Sequence, residues 1–204
     1  MGKIKLTKNE LKKKRDELKM YERYLPTLQL KKQQLQVEVR SVQTRMEELQ
    51  AQKTTLEQEA YSWIAVFTEQ SAARTQEDEP LLKVSYINTE TGNIAGVAIP
   101  VFLGVEFDHK SYDLYATPLW VDAALMLLER LVRTQLELEI VSKQKELLSQ
   151  ELRITTQRVN LFEKVKIPET IADIRKIRIY LGDQETAQVV RGKIAKRKVE
   201  GVER

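Results

Sequence analysis

The sequence predicts a mainly α fold: a long antiparallel two-helix coiled-coil hairpin, with a small β-hairpin-containing head between the helices. Three observations carry this. A 3.5-residue apolar repeat runs from Leu11 to Phe67. A second stretch of comparable length, from about Pro118 to Leu181, repeats apolar residues every three or four positions. Between them lies a β-rich interval punctuated by Gly92, Asn93 and Pro100.

The first helix is expected from Lys8 to about Gln70. With Leu11 at heptad position a, the a series reads Leu11, Leu18, Leu25, Lys32, Val39, Met46, Lys53, Ala60 and Phe67. The d series reads Lys14, Tyr21, Leu28, Leu35, Val42, Leu49, Leu56 and Trp63. A stripe this narrow and about 90 Å long needs a partner helix to cover it. Thr7 is a suitable N-cap, with Glu10 three residues on completing a capping box. Pro26 removes one helical hydrogen bond and predicts a kink, while the heptads continue through it. Lys32 and Lys53 interrupt the seam, either as snorkelling stems or as register and third-subunit contacts.

Residues 71–80 lose the apolar period and end at Pro80, as a linker does. Two strands are expected at Leu81–Ile87 and Ile94–Leu103, joined by a loop over Asn88–Asn93. Pro100 suits an edge or a strand end. Gly104–Thr117 reads as irregular. Thr117 as N-cap and Pro118 at the first helical position open the second long helix. Its seam is expected at Leu125, Val132, Leu136, Ile140, Leu147, Ile154 and Leu161. Pro168 interrupts it, and Gly182 is placed to end it. The segments are then 1–70, a head insert 71–117, a second long helix 118–182 and a basic segment 183–204.

Antiparallel pairing of two helices of nearly equal length brings Trp63 near Trp120, sets Pro26 and Pro168 at similar heights, and brings both ends of the chain together. Both ends are basic. Residues 1–20 carry eight Lys/Arg and three acids, and residues 184–204 carry six and three, within a chain of net charge +4. Lys12, Lys13, Lys14, Arg15, Lys193, Lys196, Arg197 and Lys198 form this candidate basic tip.

Catalysis is not expected. His109, the only histidine, stands beside Asp108, but no nucleophile constellation, phosphate loop, dinucleotide fingerprint or metal-ligand spacing accompanies it. No cofactor is expected. The absence of cysteine rules out a disulfide framework and thiolate chemistry. No apolar run reaches the length of a membrane span, so the chain is expected to be soluble or peripheral. The basic ends lack aromatic interleaving, which speaks against nucleic acid.

Three stretches carry a family resemblance. Arg158-Val-Asn-Leu-Phe-Glu-Lys-Val-Lys-Ile-Pro168 resembles the C-terminal signature of the D subunit of V/A-type rotary ATPases. Asn93 to Phe102 is similar to that family's central motif. Thr7 to Leu11 and Leu28 to Glu38 are similar to its N-terminal helix. Tyr24 to Leu28 and Thr117 to Asp122 resemble a bacterial branch, and the Gly-His-Lys-type stretch of archaeal and eukaryotic members is missing. The resemblance implies a single-copy central rotor shaft, cytoplasmic and peripheral to the membrane. Its partners would be the ring of A and B subunits, the small F subunit of the stalk and a funnel-shaped subunit on the membrane rotor ring. The shaft would couple ATP hydrolysis or synthesis to ion transport, and ATP chemistry would belong to A and B. The termini would enter the ring first. Without the resemblance, a prefoldin-like coiled-coil chaperone or a coiled-coil adaptor fits the helix pattern.

Overall fold

The computed structural model describes residues 4–70, 80–112 and 120–202, and the side chains of these apart from residues 63–70 and 200–202. Its elements are α1 (Lys8–Gln70), β1 (Leu82–Ile94), β2 (Val97–His109), α2 (Trp120–Leu161), a π-helical turn (Phe162–Lys166) and α3 (Ile167–Val202). The linker at 71–79, the Thr117 cap, Pro118 and the Trp63 side chain lie outside the described residues. The chain divides into two compact units, Met1–Lys32 with Ile154–Arg204 and Gln33–Arg153.

α1 begins where its capping chemistry says. The Glu10 N–H donates to Thr7 Oγ1 at 3.3 Å, and the Leu11 N–H donates to the Thr7 carbonyl at 3.0 Å. The helix runs through Pro26 without ending. From Leu11 to Ala60, no a or d position is exposed. The most deeply covered are the d residues Leu35, Val42, Leu49 and Leu56.

In the unit Gln33–Arg153, Leu35, Val42 and Leu49 of α1 close a core with Val141 and Leu148 of α2 and Ile99 of β2. Burying each of these aliphatic side chains contributes about 1.5–3 kcal/mol. The helices run antiparallel. Arg45 meets Glu137 at 2.7 Å, and Leu56 lies near Arg130 and Thr134, further along α1 and earlier on α2.

The hairpin differs from the sequence expectation. Its turn is Ala95-Gly96, with φ of 51° and 80°, and both strands are 13 residues long. Positive φ at both central residues is the type I′ geometry that matches strand twist. Asn93 Oδ1 caps the turn by accepting the Gly96 N–H at 3.0 Å. Ala95 tolerates a conformation unusual for an L-residue while its side chain packs on the core. The expected loop, Asn88–Asn93, is strand. Gly92 serves close approach, not turning: a Cβ there would lie 2.9 Å from Val101 Cγ2. The interval from Gly104, read as irregular, continues β2 to His109. Two bulges accommodate the length, at Ser85 and at Leu103.

In the unit Met1–Lys32 with Ile154–Arg204, α1 again runs antiparallel to its partner. Tyr21 packs on Phe162 with ring centroids 5.2 Å apart, and Lys14 faces Asp173 at 3.7 Å. Val159, Ile174 and Ile177 are buried, with Thr155 and Thr170. Pro168 does not end the helix. The π turn stands just before it, where the Ile167 N–H reaches back five residues to the Phe162 carbonyl. Widening the helix here gives room for the proline ring, which otherwise clashes with the preceding turn. Pro26 and Pro168 are not level: they lie on opposite sides of the Tyr21–Phe162 contact, because antiparallel numbering runs in opposite senses from it. Gly182 does not end α3 either. The helix passes through it to Val202, and Thr186 Oγ1 donates back to the Gly182 carbonyl at 3.0 Å.

Candidate functional site

No concave catalytic centre is assembled among the described residues. His109 and Asp108 are successive strand residues, so their side chains leave opposite faces. His109 Nε2 instead approaches Glu129 Oε1 at 3.3 Å, tying the end of β2 to α2. Tyr112 donates its hydroxyl proton to Asp122, and that bond raises the Tyr112 pKa above its usual value. Gln144 donates to the Pro100 carbonyl. Together these bonds strap β2 along α2, and Ile94, Ala95, Val97 and Ile99 pack against the helix core. Among the described residues, no group of His, Cys, Asp and Glu side chains could hold a metal ion.

The candidate site is therefore the paired-helix surface, its seam and its charges. Along α1, Leu11, Leu18, Leu25, Leu28, Val39 and Met46 are half-buried, and Leu35, Val42, Leu49 and Leu56 are buried. On α2, Leu125, Val132, Leu136, Ile140, Leu147 and Ile154 are half-buried, whereas Leu161 is 43% exposed. The deepest stripe of this helix lies one residue further on, at Val141, Leu148 and Thr155, continuing to Val159. Sequence reading missed it. Leucine pairs such as Leu147-Leu148 leave the phase open, and Thr155 hides the third repeat behind a hydroxyl. The signal that finds it is the strict seven-residue spacing of positions 141, 148 and 155.

The basic residues separate into two kinds. Lys12, Lys13 and Arg15 are exposed on the first turns of α1, and Lys193, Lys196, Arg197 and Lys198 are exposed on the last turns of α3. Lys14 is different. It sits half-buried at a seam position and donates to Glu17 at 2.9 Å while facing Asp173. Its pKa is raised from 10.5, first by the hydrogen bond to Glu17 and then by the nearby carboxylates, against the opposing effect of burial. A lysine held this way belongs to the seam. Lys53 is likewise half-buried and lies 3.5 Å from Glu57. Further cations that sequence reading did not single out, Arg175 and Arg178, share a furrow in the same unit with Arg15, Lys19, Leu18 and Ile171. Their spacing from Ile171, four and then three residues, is the detectable sign.

No described helix is long and apolar enough to cross a membrane. The sequence profile of the ATP synthase D-subunit family matches residues 10–197. A V-type ATP synthase D subunit of Borreliella burgdorferi is 50% identical over 196 residues, covering 96% of this chain and 95% of that protein. Proteins of the same name from Chlamydia pneumoniae and Chlamydia trachomatis are 35% and 36% identical, each over 199 residues. Both alignments cover 97% of this chain, and 93% and 96% of the two relatives.

Proposed function

The chain belongs to the ATP synthase D-subunit family and is a component of a V-type ATPase; on that footing we propose that it is the complex's central rotor shaft. The observation that carries the reading is the seam. Over α1 from Leu11 to Ala60 every a and d position is covered, so the chain supplies its own antiparallel partner. A helix pair stapled along its length resists twisting, and resistance to twisting is what a torque-carrying element needs. In this reading the shaft has no active site. Hydrolysis and synthesis of ATP belong to the A and B subunits, and the shaft biases their conformations by contacting each differently as it turns. The small F subunit and the funnel-shaped subunit of the membrane rotor are its other partners, and the basic ends of the chain enter the A/B ring. The chain works at the cytoplasmic face, in one copy per complex, and couples ATP turnover to ion transport.

The test is stoichiometry. The tagged chain, purified from its native cell and analysed by intact-complex mass spectrometry, is expected in one copy with three copies each of two large nucleotide-binding subunits. Several copies in an assembly without nucleotide-binding subunits, or a simple dimer of this chain, would overturn the shaft.

A further inference from the structure

Every two-stranded ribbon has two outer edges whose backbone groups need partners or protection. The two edges of this hairpin are treated differently. The type I′ turn makes Ile94–Val97 a hydrogen-bonded pair, and pairs then alternate along the ladder. Thr91–Pro100 is thus a pair whose backbone groups point outward. On β2 that outward position is Pro100, which has no N–H to offer, and its carbonyl is taken by Gln144 of α2. At Pro100 the β2 edge is closed by the proline and a side-chain bond.

Among the described residues, no further strand pairs with the β1 edge. Lys83 to Thr91 are all exposed and contain no proline. By the same alternation Thr89, Thr91 and Asn93 turn their N–H and C=O groups away from β2. Among the described residues, the only backbone bond that the hairpin makes beyond its own ladder joins Lys110 N–H to the Leu81 carbonyl, at its base. Large apolar side chains line this strand: Val84, Tyr86 and Ile87 are 44%, 60% and 38% exposed. Its charges are Lys83 and Glu90, which are opposite in sign and seven residues apart. Between the Ser85 bulge and the turn, Tyr86 to Asn93 offers about 26 Å of regular strand, enough for a strand of ordinary length.

We propose that the outer edge of β1, from Tyr86 to Asn93, binds an extended, uncharged, apolar segment of another subunit of the V-type complex as a third strand. Alternating outward donors and acceptors at strand spacing are matched by another extended backbone and not by a helix. The near-neutral strand with its exposed Tyr86 and Ile87 selects an apolar, uncharged partner. This inference rests on the reading in which the chain works inside that complex.

Hydrogen exchange of the β1 amides tests it, in the purified complex and in the isolated chain. The amides of Thr89, Thr91 and Asn93 are expected to exchange about tenfold or more slowly in the complex. Thr91→Pro removes one outward N–H without touching the β1–β2 ladder. It is expected to abolish that protection while Gly92 and Ile94 stay protected. Thr91→Val keeps the N–H and is expected to keep the protection. Equal exchange in an intact complex and in the isolated chain overturns the inference. So does protection in the isolated chain that grows with its concentration, which makes a second copy the occupant. An unmodified chain that fails to co-purify with nucleotide-binding subunits overturns the shaft reading and this inference with it.

Discussion

Lys14 shows how much a single side chain departs from its sequence class. It stands in a run of four basic residues, Lys12 to Arg15, yet it occupies the seam and is held by Glu17 and Asp173. Because its folded-state pKa is raised from 10.5, its ion pairs contribute stability that is fully present below that value and lost as pH rises through the raised one. The stability difference between wild type and Lys14→Met is expected to stay constant up to pH 10.5 and to shrink above it, as read by urea unfolding across that range. A difference that does not change with pH would remove the lysine charge from the account. Arg45 and Glu137 make a contrasting case. Their 2.7 Å contact lies at a surface where solvent screens it, and a double-mutant cycle is expected to give only about 0.2–1 kcal/mol. Leu35, fully buried between the helices, is expected to cost about 2–5 kcal/mol when cut to alanine. Leu161, 43% exposed, is expected to cost about 0.5 kcal/mol or less.

The element that governs the last stretch of the chain is the π turn. Before it the buried stripe falls at Leu148, Thr155 and Val159. Continued at heptad spacing, it would next use Glu169, Asp173, Lys176 and Tyr180. The buried positions after the turn are instead Thr170, Ile174 and Ile177, followed by half-buried Leu181, each one residue later. One extra residue in the wide turn advances the phase and delivers the apolar face of α3 to α1. Deleting Val165, an exposed residue inside the turn, is therefore expected to bring charged residues into the seam and to melt the unit of Met1–Lys32 with Ile154–Arg204. Faster exchange confined to α3 and the first turns of α1, with Leu35 to Leu49 still protected, is the expected readout. Normal exchange throughout would show that the turn is incidental. The same element marks the limit of what sequence reveals. The α1 seam was legible because its heptads never slip. The α2 stripe was not, because its leucine pairs leave the phase open; beyond Pro168 an apolar face through Ile174 and Leu181 was legible, but the π insertion that sets its phase leaves no residue signature. The hairpin was legible as two strands with a turn, but Gly92 and Asn93 drew the turn too early. Ala95, neither Gly nor Asn, conceals a left-handed conformation that the packing of its methyl group supports.

For the whole molecule, the function proposed makes stability and coupling separable. Under that proposal, ATP chemistry in other subunits needs no atom of this chain, whereas transmission needs both helix-paired units to hold their registers. Leu148 closes one unit with Leu35 and Leu49, and Ile177, with no exposed surface, lies in the core of the other. Leu148→Ala and Ile177→Ala each leave a cavity expected to cost about 2–5 kcal/mol, a large fraction of the marginal stability of a small unit. Neither side chain reaches the outer surface, so contacts with the ring are left in place. In assembled complexes, each variant is expected to lower ion transport per ATP hydrolysed while hydrolysis itself persists, because a loosened seam lets the shaft yield under load. A surface substitution such as Val37→Ala, on an exposed position of α1, is expected to change neither rate. Parallel measurement of ATP turnover and ion flux in reconstituted vesicles decides the matter. Equal losses of hydrolysis and transport in both core variants would mean that this chain organises the catalytic ring instead of carrying torque from it.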